Sequence, residues 1–281
     1  MSALTSNLPV MFSLAAMFIW GISDFSGGIG ARRANAFLFT AVVHLSGVVM
    51  MFSLAQISRA PFPPRASVLW ALAAGSIGGV ALAVFYRALA SGTMGLTAPV
   101  AAVLGAGIPT LVTAFVEGFP GYRHLAGFIV AGIGVWLISR TEDASGSPRG
   151  LGMAVFAGIG FAMFYLCIRQ TGSASALWIA GISRFASLTM TSLVVFLGKQ
   201  TGRISPPVMA VAVFTGLLDV GGSALFVHAE QIGRLDTAVV LSSLYPAITV
   251  LLARVFLREH FSRGRTAGML AALAAVPLVA G

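Results

Sequence analysis

The sequence predicts an all-α integral membrane protein whose ten transmembrane helices form two five-helix repeats of inverted topology around a central cavity. Three observations predict it. Of the 281 residues, 58% are hydrophobic and only 9% charged, with a mean hydropathy of +0.95; a soluble chain carries about a quarter charged residues. Apolar runs of about 17 to 25 residues, the length of helix that crosses a hydrocarbon core, fill nearly the whole chain, and the alternating segments of a membrane β-barrel are absent. The second half also lies on the first at a constant offset.

Cutting at charges and at Pro, Gly and Ser clusters places the spans in order. The first, 8–30, holds Trp20 and Asp24 and stops before Arg32 and Arg33. The second, 36–57, contains His44; the third, 66–91, contains Gly75, Gly78, Gly79 and Tyr86. The fourth, 94–116, carries Pro99 and Pro109 around the small residues Gly105, Ala106 and Gly107, and the fifth is 123–140. "RTEDASGSPRG" (140–150) follows, the most polar stretch in the chain and its midpoint. It divides a first repeat, 1–140, and a linker, 141–149, from a second repeat, 150–281. In the second repeat, span 150–170 holds Tyr165 and the sole cysteine, Cys167, span 174–198 holds Arg184, and span 206–231 holds Asp219 and His228. Span 235–257 places Ser242, Ser243 and Tyr245 before Pro246, and 264–281 completes the set. Residues 1–7 lack the basic start of a secretory signal, so the first run is expected to remain as a span.

A shift of 141 residues tests the repeat. It lays Ala88 on Ala229, Gly92 on Gly233, Phe115 on Phe256 and the "AG" at 126–127 on that at 267–268. In the first span Trp20 falls on Phe161 and Asp24 on Tyr165. Five spans per copy is an odd number, so the second copy starts on the opposite side of the membrane. Such pairs can open a midplane site to either side in turn; duplication of a stable bundle is the plainer alternative.

An ionisable residue inside a bilayer is costly and normally faces protein or a water-filled cavity. Asp24, His44, Arg184, Asp219 and His228 are the candidates. Trp20 and Asp24, four apart, share a helix face and offer an aromatic wall with a carboxylate for an ammonium group or a proton; the alternative is a satisfied acid, paired for example with Arg184. Arg184 has the chemistry to grip a carboxylate or to snorkel to an interface. Asp219 begins a face continued by Gly222, Ser223 and Phe226, where a structural hydrogen bond serves as well as a site. His44 is a titratable or simply packed imidazole. Tyr86, Tyr165, Tyr245 and Ser243 add hydroxyls that want partners. Pro99, Pro109 and Pro246 mark helices four and nine as bendable, by gating or by ordinary kinking.

The net charge of +9 and pI near 11.2 do not point to nucleic acid, because the basic residues are scattered between apolar runs as topology signals. No Walker loop, metal cluster, CxxC pair or hydrolase elbow is present, so neither cofactor nor metal is expected. The expected partners are the lipid bilayer and a small-molecule substrate, with a monomer favoured over an obligate oligomer.

"WG" at Trp20–Gly21, "RF" at Arg184–Phe185, "YPAITVLLARVFLREHF" (245–261) and "GRTAGMLAALAAV" (264–276) carry a resemblance. In their order and spacing the chain resembles the ten-helix EamA-type carriers of the drug/metabolite transporter superfamily. Within that group it looks most like bacterial exporters of aromatic and other neutral amino acids. The resemblance implies secondary transport by alternating access across an inner membrane, no enzymatic activity, and both termini in the cytoplasm. The candidate substrate site, read from the polar and aromatic residues of the spans, is Trp20, Asp24, His44, Tyr86, Tyr165, Arg184, Asp219, Ser243 and Tyr245, with Pro99, Pro109 and Pro246 as kinks. Two departures stand out: "VEGFPGY" (116–122) replaces the pattern of "VFLREHF" (255–261), and the family's second-span arginine gives way to the region of His44. The arginine and lysine count of the loops favours the opposite orientation. Drug export by the same fold, or an intramembrane enzyme acting on a lipid-like substrate, are the alternatives; polar groups are too sparse for a channel.

Overall fold

Pro9 sits in the first turn of the first helix, where a missing N–H costs nothing, and Pro206 and Pro207 open the eighth in the same way. Asn35 caps the second: its Oδ1 accepts from the backbone N–H groups of Phe37 and Leu38 at 3.0 and 3.3 Å. The computed structural model describes residues 7–91, 94–139, 150–257 and 263–279. Among them it contains eleven helices and no strand. They are α1 Leu8–Ala31, α2 Ala36–Ile57, α3 Arg65–Ser91, α4 Met94–Val116, α5 Tyr122–Ser139, α6 Leu151–Arg169, α7 Ala176–Leu197, α8 Pro206–Ile232, α9 Leu235–Ser242, α10 Tyr245–Leu257 and α11 Arg263–Val279. The linker expected at 141–149 lies outside the described residues.

Helices occupy all ten expected segments, the ninth in two pieces. Among the described residues, seven segments are long and apolar enough to cross a membrane: α1, α2, α3, α6, α7, α8, and α9 with α10 taken together as Leu235–Leu257. A shorter apolar stretch, Val100–Val116, lies in α4. Large apolar side chains cover the outside, Phe115 being 88% and Phe196 80% exposed. Water does not reward such a surface; lipid tails do.

The packing pairs exchange when the two halves are exchanged. Helix α1 packs on α8 as α6 packs on α3, and α2 on α8 as α7 on α3. Helix α4 lies against α6 as α9 and α10 lie against α1, while α2·α7 and α5·α11 each pair a helix with its own counterpart. Small residues permit these approaches. A Cβ on Gly75 of α3 would strike the Ser183 carbonyl of α7, and one on Gly216 of α8 would strike the Val43 carbonyl of α2. Gly75 and Gly216 are 141 positions apart. So are Ser46 and Ser187, which donate across the same two crossings, Ser187 Oγ to the Gly75 carbonyl at 2.8 Å and Ser46 Oγ to the Val213 carbonyl at 3.4 Å.

The ninth segment breaks at Ser243 and Leu244. Pro246 has no N–H to give the Ser242 carbonyl, and the turn closes with three-residue bonds instead: Leu244 N–H to the Leu241 carbonyl at 3.3 Å and Ala247 N–H to the Leu244 carbonyl at 3.0 Å. Its counterpart α4 runs unbroken through Pro99 and Pro109. Charges tie the helix ends at one face of the bundle. Arg169, ending α6, reaches Glu117 after α4 at 2.8 Å and Glu230 near the end of α8 at 3.2 Å. At the opposite ends Asn35 Nδ2 donates to Gln200 Oε1 at 2.8 Å.

Candidate functional site

Where α1, α3, α6, α7, α8 and α10 converge, they leave a cavity of about 50 Å³. Helix α1 contributes Trp20 and Asp24, one turn apart; α3 contributes Gly78 and Leu82; α6 contributes Phe161, Phe164 and Tyr165. Arg184 of α7, Asp219 of α8 and Tyr245 of α10 complete the lining. Three pairs of lining residues are counterparts at the 141-residue offset: Trp20 with Phe161, Asp24 with Tyr165, and Gly78 with Asp219.

One side of the site is a polar network, in which Arg184 Nε and Asp219 Oδ2 are buried without a hydrogen bond. Arg184 Nη2 lies 3.0 Å from Asp219 Oδ2 and donates to Ser223 Oγ at 2.6 Å. Ser223 Oγ in turn donates to the Asp219 carbonyl at 2.9 Å, which also accepts from Trp20 Nε1 at 3.0 Å. Asp219 and Ser223 are one turn apart on α8, so a single face of that helix presents both the carboxylate and the hydroxyl to α7. The two side chains of the ion pair are 7% and 6% exposed, so its attraction acts in a poorly solvated setting. The alternative in which Arg184 pairs with Asp24 is not the one observed: the partner of Arg184 is Asp219.

The other side is aromatic. The Trp20 ring centroid stands 6.2 Å from that of Tyr165 and 5.7 Å from that of Phe226, and Tyr165 packs at 4.8 Å on Phe226 and 5.6 Å on Phe164. Among these rings Asp24, buried at 6% exposure, makes no hydrogen bond or ion pair with any described residue. The Tyr245 hydroxyl is likewise buried without a partner.

Six of the nine side chains singled out in the sequence thus meet in one place. Three do not line the cavity. Tyr86 is fully buried behind it, its hydroxyl 3.4 Å from Ser23 Oγ and its ring packed on Phe39 and Phe85. His44 is enclosed on α2 with neither ring nitrogen hydrogen-bonded. Ser243 lines a second cavity of about 340 Å³ between α4, α5 and α9, an apolar space it shares with Gly107, Phe128 and Leu244 among others. Of the three prolines, Pro246 adjoins the break beside Tyr245, Pro109 is buried inside the continuous α4, and Pro99 lies in the same helix. Sequence reasoning passed over Phe161, Phe164, Gly78 and Leu82 as lining. The repeat match to Trp20 signalled Phe161; nothing local distinguishes Phe164 or Leu82 from ordinary packing. No group of three or more His, Cys, Asp or Glu able to hold a metal occurs among the described residues.

Comparison with known proteins agrees with this geometry. A solved structure described as "Crystal structure of protein" superposes with a TM-score of 0.73 at 16% identity, covering 96% of this chain and 95% of that one, which shows a shared fold. No curated protein matches the sequence. The model of the EamA-like transporter family matches twice, over residues 7–140 and 148–281. The two matches begin 141 positions apart, the offset read from the sequence. With nearly the whole chain matched, and helices suited to a bilayer around an internal cavity, the protein belongs to the EamA-like transporter family.

Proposed function

We propose that this chain is a secondary carrier that moves small amphiphilic molecules outward across a bacterial plasma membrane by alternating access of two inverted five-helix halves. The observation that carries the reading is the cavity between the halves, lined by counterpart positions of both. A cavity of about 50 Å³ has room for only a few waters. An aromatic substrate is larger, so the helices must part to admit it. The exchangeable packing pairs supply the motion: a set of contacts made by one half can be traded for the matching set made by the other. One chain encloses the whole site, which makes a monomer sufficient.

The aromatic walls favour a substrate with a ring or a large apolar group. Neutral and aromatic amino acids, expected from the resemblance, meet that half of the requirement. Their carboxylate would need Arg184, and Arg184 is already held by Asp219 and Ser223. The test is flux. Purified protein in liposomes loaded with labelled phenylalanine, threonine or 2-phenylethylamine should release at least one of them saturably and faster than protein-free vesicles. Equal release from both kinds of vesicle for all three rejects the reading.

A further inference from the structure

We propose that the central cavity selects small monocations with an aromatic body, amines in preference to zwitterionic amino acids, a deepening that rests on the transport reading above. The inference follows from a charge count. Among the described residues, three ionisable side chains other than tyrosines line the cavity: Asp24, Arg184 and Asp219. Arg184 and Asp219 stand 3.0 Å apart and cancel. Arg184 gives its Nη2 to Ser223 and to the Asp219 carboxylate, and its Nε is buried without a hydrogen-bond partner. Asp24 is left with no cation and no hydrogen-bond donor among the described residues. The ionised site therefore carries one uncompensated negative charge.

The surroundings of that charge fit an organic ammonium. Trp20 lies one turn below Asp24 on the same helix face, and Phe161, Phe164, Tyr165 and Tyr245 complete the wall. Aromatic faces attract cations through their quadrupole, most strongly where water is scarce, and a carboxylate gives the ammonium a charge-assisted hydrogen bond. A ligand carboxylate finds the reverse. It would be brought near Asp24 in a poorly solvated space, and the cation it meets, Arg184, is already paired with Asp219, so it competes with that pair. Removing one partner of such a buried pair leaves the other charge uncompensated. The zwitterion thus pays twice for a group that the amine does not have.

Four ligands with one ring and different charge separate the cases: 2-phenylethylamine, 2-phenylethanol, phenylalanine and phenylacetate, each titrated onto the full chain in lipid nanodiscs. We expect the amine to bind at least about tenfold tighter than phenylalanine and phenylacetate to show no saturable binding. In Asp24→Asn the amine-to-alcohol affinity ratio should fall by about tenfold or more. In Asp219→Asn, which frees Arg184, phenylacetate should gain saturable binding. Phenylalanine or phenylacetate binding the wild-type protein as tightly as the amine overturns the proposal, and so does an unchanged amine-to-alcohol ratio in Asp24→Asn. The wild-type comparison needs no variant to fold. Binding is read without a second compartment, so amine preference without flux overturns the transport reading alone. Flux of phenylalanine without amine preference overturns this proposal alone.

Discussion

The two halves of the chain bring matching positions to the central cavity and put different chemistry on them. On one wall Trp20, Asp24 and Gly78 come from the first half; their counterparts Phe161, Tyr165 and Asp219 come from the second. Shape is repeated, since Trp20 and Phe161 put an aromatic ring at the same position of each half and helix crossings recur at Gly75 and Gly216. Charge is not repeated. The second half provides Arg184 and Asp219, which neutralise each other, and the first provides an acid alone. The lesson is that a duplicated fold can keep its scaffold in both copies and each polar group in only one.

The comparison breaks most completely at the scaffold. Gly75→Leu should abolish recovery of folded protein, because a side chain there is driven into the Ser183 backbone, which cannot yield. Gly107→Leu is its control: nothing stands within 4 Å of an added Cβ, and elution and thermal unfolding should match the wild type. A monodisperse peak for Gly75→Leu would show that the crossing is looser than described. Next in size, Asp219→Asn should destabilise the protein by about 3 kcal/mol by stranding a buried guanidinium, read as a lower unfolding midpoint in detergent. Gly78, the counterpart of Asp219, carries no such partner, and Gly78→Ala should lower the midpoint through packing instead, because an added Cβ would stand 2.9 Å from the Phe164 ring. The smallest change sharpens the symmetry. Trp20→Phe makes the Trp20–Phe161 pair identical while removing one hydrogen bond to the Asp219 carbonyl, for a loss of about 1 kcal/mol. A midpoint equal to wild type would show that the indole N–H bond adds nothing to stability.

Helix positions and the repeat were legible because they depend on average properties: run length, the charges that end each run, and an offset that survives drift in individual residues. The fault in the ninth segment was legible too, since Pro246 removes a donor wherever it stands. Pro109 gave the same signal in α4, yet that helix stays whole. Its neighbours Gly105 and Ala106 bring no hydroxyls to compete for backbone groups, whereas Ser242 donates to the Val239 carbonyl just before the break. Pairings between helices were not legible. Arg184 meets Asp219 and not Asp24 because of how α7 and α8 rotate against each other, and one helix's periodicity carries no record of that angle. For the same reason Tyr86 and Tyr245, alike in sequence setting, end in different places, one behind the wall and one in it.

The fork of Arg169 with Glu117 and Glu230 gives the two faces of the bundle different sensitivities to the medium. Separating α4 from α8 at that face means dismantling two charge contacts made by one arginine, itself 35% exposed at its side chain and therefore within reach of dissolved ions. Across the bundle the Asn35–Gln200 contact is between neutral amides. Salt weakens the first and leaves the second untouched. Ionic strength thus loosens the contacts at one end of the helices before those at the other, without any ligand taking part.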